Sequence, residues 1–167
     1  LYVPDSGMIC YQGVSLDAID AVSLRRQVVM LGQTPVIYDG TIEDNLQIGL
    51  RFAQKPLASR DTLAYMLQQV GLAQPLHAYC DTLSGGERQR LCLARVLLMD
   101  AQTYLLDEPS AALDTQTERF IIKSLDHFVQ SRGKHLVMVT HSQQIAALYP
   151  DACIHIENGR IGGTAHA

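Results

Sequence analysis

The sequence has no apolar run long enough to cross a membrane. Its longest stretches, Leu91–Met99 and Leu136–Val139, are short or interrupted by Arg95. It has no C-x-x-C pair: Cys10, Cys80, Cys92 and Cys153 are scattered, which excludes the usual spacing of a zinc site or a redox motif and fits reduced, mostly buried thiols. An excess of basic charge is missing too. Thirteen basic against 17 acidic residues leave a net charge of −4, and no electrostatic reason to hold nucleic acid non-specifically. Residues 2–8 lack the basic n-region and apolar h-region of a signal peptide. No internal repeat or low-complexity tract is present. What is present is an ordinary globular composition, 47% hydrophobic and 18% charged over 167 residues. That length suits one soluble domain with a sizeable core.

Along the chain, Met8–Tyr11 followed by Gln12-Gly13 predicts a short strand and a turn. Ser23–Gln27 predicts one helical turn and Val28–Leu31 a buried strand. Thr41-Ile-Glu-Asp44 has capping-box form and opens a short helix through Leu46. Apolar residues at 63, 66, 67 and 70 give Arg60–Val70 a helical period, which Gly71 ends. A long helix is predicted from Ser84 to about Met99. Thr103–Leu106 is a fully apolar strand, and Asp114 caps a helix burying Ile121, Leu125, Phe128 and Val129. Gly133 ends that helix and Leu136–Thr140 is a second buried strand. A short helix over Ser142–Leu148 leads to a strand at Ala152–Glu157 and an Asn158-Gly159 turn. Unalternating apolar strands separated by helices predict an α/β fold with a parallel sheet. The helical middle, about 41–100, reads as an insertion sitting apart from the sheet-bearing lobe of about 101–167.

Three segments carry chemistry. Leu83-Ser-Gly-Gly-Glu-Arg-Gln-Arg90 has a capping box, Ser84 with Glu87, but also two glycines in the first turn of a helix, where glycine lowers propensity. Gly85 and Gly86 make sense if something must approach the backbone, and a helix start with bare N–H groups suits a phosphate. In Thr103-Tyr-Leu-Leu-Asp-Glu-Pro109, two carboxylates end a parallel strand, where α/β sheets place ligands. Asp107 is suited to hold Mg²⁺ and Glu108 to polarise a water for attack on a phosphoryl group. His141 closes the next strand, on the same edge as Asp107, and can donate to a terminal phosphate. Gln33, just after Val28–Leu31, is a fourth candidate.

Together these residues resemble the ATP-binding cassette family, the nucleotide-binding domains of ABC transporters. Leu83–Arg90, continuing into Leu91-Cys-Leu-Ala-Arg-Val-Leu-Leu98, is similar to the family signature, and Tyr104–Pro109 to the Walker B strand with its catalytic glutamate, Glu108. Ser110-Ala-Ala-Leu-Asp114 resembles the D-loop, His141 the switch histidine, and Gln33 the Q-loop glutamine. Ser6-Gly-Met-Ile, Ser23–Gln27, Gly40–Leu46 and Glu157-Asn-Gly-Arg-Ile161 match in the family's order. The resemblance implies a P-loop NTPase fold, with an ABC ATPase sheet lobe and a helical subdomain. It also implies an ATPase that uses Mg²⁺ with ATP, with Glu108, His141 and Gln33 catalytic and Asp107 and Gln33 at the metal. Ser84, Gly85, Gly86 and Glu87 then meet nucleotide in trans, and Asp114 belongs to the D-loop. The implied partners are a second ABC ATPase subunit and a transmembrane subunit or domain, on the cytoplasmic face of the membrane, with no nucleic acid.

One family element has no match: G-x-x-x-x-G-K-S/T, whose backbone N–H groups cradle phosphates. Gly133-Lys134 is followed by His135 and ends a helix, so it is no substitute. In the family this loop precedes the stretch that Ser6-Gly7 matches, together with antiparallel strands. The expectation is therefore a partial ABC ATPase domain over 1–167, opening at Leu1 past the phosphate loop and inactive alone. Its alternatives are a naturally truncated, non-hydrolysing subunit offering only the signature half-site, or a soluble or DNA-associated ABC ATPase.

Overall fold

The computed structural model describes residues 4–111, 113–149 and 153–162. It opens with a hairpin, β1 (Cys10–Tyr11) and β2 (Val14–Ser15), paired antiparallel. Gln12 and Gly13 both take positive φ, as a two-residue hairpin turn requires. Helix α1 (Ala21–Gln27), capped by Asp20, feeds β3 (Val28–Leu31). Three helices follow, α2 (Ile42–Phe52), α3 (Arg60–Gln69) and α4 (Gly85–Leu98). Then come β4 (Thr103–Asp107), α5 (Thr115–Ser131), β5 (His135–Val139) and α6 (Gln143–Ala146). A hairpin of β6 (Ile156–Glu157) and β7 (Arg160–Ile161) closes the described part, with Asn158 and Gly159 at positive φ. Ala152, where the last strand was expected to start, lies outside the described residues.

The central sheet is parallel, in the order β3-β4-β5. Its register aligns Leu31, Leu106 and Met138 in one row and Val29, Tyr104 and Leu136 in another. These rows face the helices. Tyr104 is fully buried, meets Phe128 of α5 edge to face, and donates from its hydroxyl to Leu97 O of α4 at 3.4 Å. Burial pushes that phenol up to about 12. The opposite row is uncovered: Met30, Val137 and Val139 are 62, 57 and 55% exposed. The expectation of wholly buried strands at Val28–Leu31 and Leu136–Thr140 is thus corrected. The strands are apolar on both sides, but α4 and α5 cover one side only, and β5 ends at Val139, before Thr140. Among the described residues, β3 and β5 are the outer strands of this three-stranded sheet.

The middle helices do not sit apart. Leu46 of α2, Leu63 and Leu67 of α3 and Leu91 of α4 share one hydrophobic core with Leu106 and Leu125. Thr41 caps α2 in a capping box with Asp44, and Ser59 caps α3. α2 runs past Leu46 to Phe52 because Leu50 continues its buried face and Gly49 lets α4 come close. A Cβ at Gly49 would lie 2.9 Å from Met99 Sδ. The predicted stripe of α3 is the buried one, Leu63, Met66, Leu67 and Val70, and Gly71 stops it at φ +62°. Fully buried Asn45 pins the segment that precedes α2. Its amide oxygen accepts from Tyr38 N–H (2.9 Å) and its amide nitrogen donates to Tyr38 O (2.8 Å) and Thr41 O (3.1 Å). Cys80 and Cys92 are buried, and burial raises both thiols, whereas Cys10 is exposed and Cys153 half-buried.

Candidate functional site

The chemistry-bearing residues collect where the parallel strands end. β4 stops at Asp107, which pairs with Val139 of β5, and the Glu108 N–H continues the ladder by donating to Val139 O at 3.0 Å. Glu108 then takes φ +48°, a left-handed conformation that an L-residue adopts at a cost of about 1–2 kcal/mol. The turn holds it there through Ala111 N–H to Glu108 O and Leu113 N–H to Ser110 O. Glu108 is 8% exposed, and its Oε1 is buried without a hydrogen bond. His141 Nε2 stands 3.5 Å from that oxygen, while the rest of the imidazole side chain is open to solvent. Strain and an unpaired buried carboxylate oxygen are both unfavourable for folding, and they persist where function needs them. A carboxylate so placed can accept a proton from a water, and the neighbouring imidazole can donate to an anion.

Asp107 is half-buried on this edge. Leu31 aligns with Leu106, so Gln33 leaves the sheet on the same side, exposed and without a hydrogen bond among the described residues. The structure therefore brings Asp107, Glu108, His141 and Gln33 to one edge, and only Glu108 and His141 into direct proximity.

The start of α4 is a separate, outward-facing surface. Ser84 caps the helix: its hydroxyl accepts from Glu87 N–H (3.4 Å) and donates to Glu87 Oε2 (2.7 Å), and its own N–H donates to the same oxygen (2.8 Å). These donors, with the Gln74 amide, hold the Glu87 carboxyl below the ordinary range. A Cβ added at Gly85 would touch nothing within 4 Å, so packing inside the chain does not require glycine there. The bare backbone is offered outward. Asp114 is occupied differently. Its carboxylate accepts from the Thr117 hydroxyl (2.6 Å) and from the Gln116 and Thr117 N–H groups (3.0 Å each), which keeps it below the usual carboxylate range and caps α5.

Sequence reasoning missed Gln89. This side chain, 3% exposed, donates from its amide to Glu108 O at 3.4 Å, so the helix that begins at Ser84 also backs the Glu108 turn. The available signal was a polar residue on a helix face that is otherwise buried.

Residues 1–111 match the family model described as ABC transporter. The chain belongs to the ABC transporter family. It is an ABC nucleotide-binding domain of the P-loop NTPase type. This family hydrolyses ATP with Mg²⁺, dimerises, and works with transmembrane domains in importers and exporters. Protein STAR1 of Oryza sativa subsp. japonica is 35% identical over 159 residues, covering 92% of this chain and 45% of that protein. The methionine import ATP-binding protein MetN of Mesorhizobium japonicum is 32% identical over 163 residues, 95% of this chain and 45% of that protein. Among solved structures, a bacterial Atm1-family ABC exporter with ATP bound superposes with a TM-score of 0.81 at 25% identity, over 97% of this chain and 29% of that one. The ABC chain thus spans less than half the length of the relatives it matches. Among the described residues, no helix is long and apolar enough to cross a membrane.

Proposed function

We propose that this ABC domain serves as the ATPase part of a transporter, with Glu108 as the base and His141 as the group that contacts the terminal phosphate. The observation that carries this reading is Glu108 itself: strained, buried, and left with an unpaired oxygen beside His141 at the C-terminal edge of the sheet. Glu108 accepts the proton of the attacking water, and His141 orients the phosphoryl group. Asp107 and Gln33 are the metal-side residues. No cluster of three or more His, Cys, Asp or Glu side chains among the described residues makes a metal cage. Mg²⁺ is bound through one or two protein carboxylates together with substrate phosphates, and Asp107 would supply such a carboxylate. When bound, Mg²⁺ neutralises charge on the phosphate oxygens. Ser84, Gly85, Gly86 and Glu87 present the open start of α4 to nucleotide held by a second ABC subunit, and Asp114 shapes the D-loop between them. A transmembrane partner places the domain at the cytoplasmic face of the membrane, and the net charge of −4 gives no basis for a nucleic-acid partner.

The 167 residues contain no G-x-x-x-x-G-K-S/T loop. Charge-assisted contacts to phosphate contribute roughly 1.5–3 kcal/mol each, so without that loop's several donors the isolated chain holds ATP weakly and does not turn it over. A second reading, a subunit that lends only its signature helix to a complete partner, is favoured by the fully formed cap and open backbone at Ser84–Gly85. The test of the main reading is Glu108→Gln in the full-length protein. ATP binding persists and steady-state phosphate release stops; undiminished release removes Glu108 as the base.

A further inference from the structure

His141 is held by almost nothing of its own. Its side chain is 95% exposed and meets Glu108 Oε1 only at 3.5 Å. Its place is set by its backbone, and its backbone by the next residue. The Ser142 N–H donates to Thr140 Oγ1 (3.1 Å), and the Ser142 hydroxyl donates to Glu118 Oε2 (3.3 Å). Glu118 stands in the first turn of α5, where its other oxygen, Oε1, accepts from the Ser110 hydroxyl at 2.9 Å. Ser110 is buried, 3% exposed, two residues beyond Glu108. One carboxylate therefore ties the turn after β4 to the loop after β5. Arg119 beside it donates to Gln144 Oε1 of α6 at 3.4 Å, a second link between the same elements.

We propose that Glu118 is a positioning residue, which sets the spacing of Glu108 and His141 by bridging Ser110 and Ser142. The proposal rests on the reading of those two residues as the reacting pair. A carboxylate suits the task because it is acceptor-only, with one oxygen for each hydroxyl, and its bonds are charge-assisted. The left-handed Glu108 needs surroundings that hold it in place, and the bond from Ser110 is one of them. Glu118 touches no reacting atom, so its removal acts on geometry.

The experiment is ATP turnover by the full-length protein carrying Glu118→Ala, Glu118→Gln or Ser110→Ala, with thermal melting measured on each. Misplacing a reacting group by about 1 Å costs about 100-fold in rate, so Glu118→Ala is expected to lower kcat about 10- to 100-fold. KM should stay within about twofold, because His141 is only one of the groups that meet ATP and the others remain in place. Glu118→Gln should recover most of the loss, since an amide can accept from one hydroxyl and donate to the other. An unchanged kcat in Glu118→Ala overturns the proposal. So does a loss that Gln fails to rescue and that follows the melting temperature. If Glu118→Ala does not fold, Ser110→Ala decides, with a lowered kcat at unchanged KM expected and an unchanged kcat overturning it. Glu108→Gln run alongside separates the two failures. Persistent turnover there defeats the reading of the pair, whereas lost turnover there with an unaffected Glu118→Ala defeats only the role of Glu118.

Discussion

Replacing Glu108 by glycine and by alanine should invert the usual order of stability. At an ordinary position alanine is the more stable of the two by about 0.5–1 kcal/mol, because glycine has more freedom to lose on folding. Glu108 sits at φ +48°. Alanine there keeps the left-handed penalty of about 1–2 kcal/mol, which glycine does not carry. The balance favours Glu108→Gly over Glu108→Ala by about 0.5–1 kcal/mol, or about 1–4 °C in melting temperature for a domain of this size. Both variants also remove the buried carboxylate oxygen that lacks a hydrogen bond, a group whose desolvation costs about 1–3 kcal/mol. The glycine variant should therefore melt at or above the wild-type temperature, and in the full-length protein it should release no phosphate from ATP. Thermal and urea unfolding of the three proteins measure the difference, with equal urea slopes confirming that only stability has changed. Alanine equal to or more stable than glycine would falsify the left-handed assignment and, with it, the argument that strain at Glu108 is kept for function.

Asn45→Ala leaves the Tyr38 N–H and the Tyr38 carbonyl without their partner and a void where the fully buried amide stood, while the Thr41 carbonyl keeps the backbone N–H of residue 45 at 3.0 Å. It is expected to cost about 2–4 kcal/mol in urea unfolding, and a change below about 0.5 kcal/mol contradicts the clamp. Acid should weaken the fold through its caps. Asp44, Glu87 and Asp114 are held below the ordinary carboxylate range, chiefly by hydroxyl donors from Thr41, Ser84 and Thr117. Their unfolded forms bind protons first, so their contribution is complete above the unfolded carboxylate range of about 4. It is lost as pH falls through the lowered folded values. The urea midpoint should be level from pH 7 to 5 and fall from pH 4 to 3; a midpoint unchanged over that last interval contradicts the cap assignment.

Caps and helical stripes were legible in the sequence because their causes are local. Ser84 with Glu87, Thr41 with Asp44, and Asp114 each satisfy helix donors a few residues away, and Leu63, Met66, Leu67 and Val70 repeat at the helical period. The edge that gathers Asp107, Glu108, Gln33 and His141 was legible too, since parallel strands carry their ends to one side. Burial of the strands was not. Val137 and Val139 are as apolar as Tyr104 and Leu106, and only the placement of α4 and α5 decides which side is covered. The length of α2 was hidden for a similar reason, its last turns being fixed by the close approach of Met99 to Gly49. Nor does any residue pattern announce a left-handed Glu108, because the conformation sits between a ladder bond to Val139 of a distant strand and the turn bonds that follow it. Glu118 and Ser110 are joined by a tertiary hydrogen bond that leaves no periodic trace, and Gln89 shows only as a polar break in a buried helix face.

Helix α4 can be seen as a braced rod. Its first turn is open to solvent at Ser84 and Gly85 but braced by the Gln74 amide on Glu87 and by Arg88 on the Leu83 and Asp81 carbonyls, and its body is fixed from Gln89 onward by Leu91, Cys92, Leu93 and Ala94 in the core. At about 1.5 Å per residue, that turn is about a quarter of a rod of about 20 Å. A load applied at Ser84 by a neighbouring molecule therefore has little room to dissipate by bending. It arrives at the fixing point, and the side chain at the fixing point is the one whose amide is bonded to the Glu108 carbonyl.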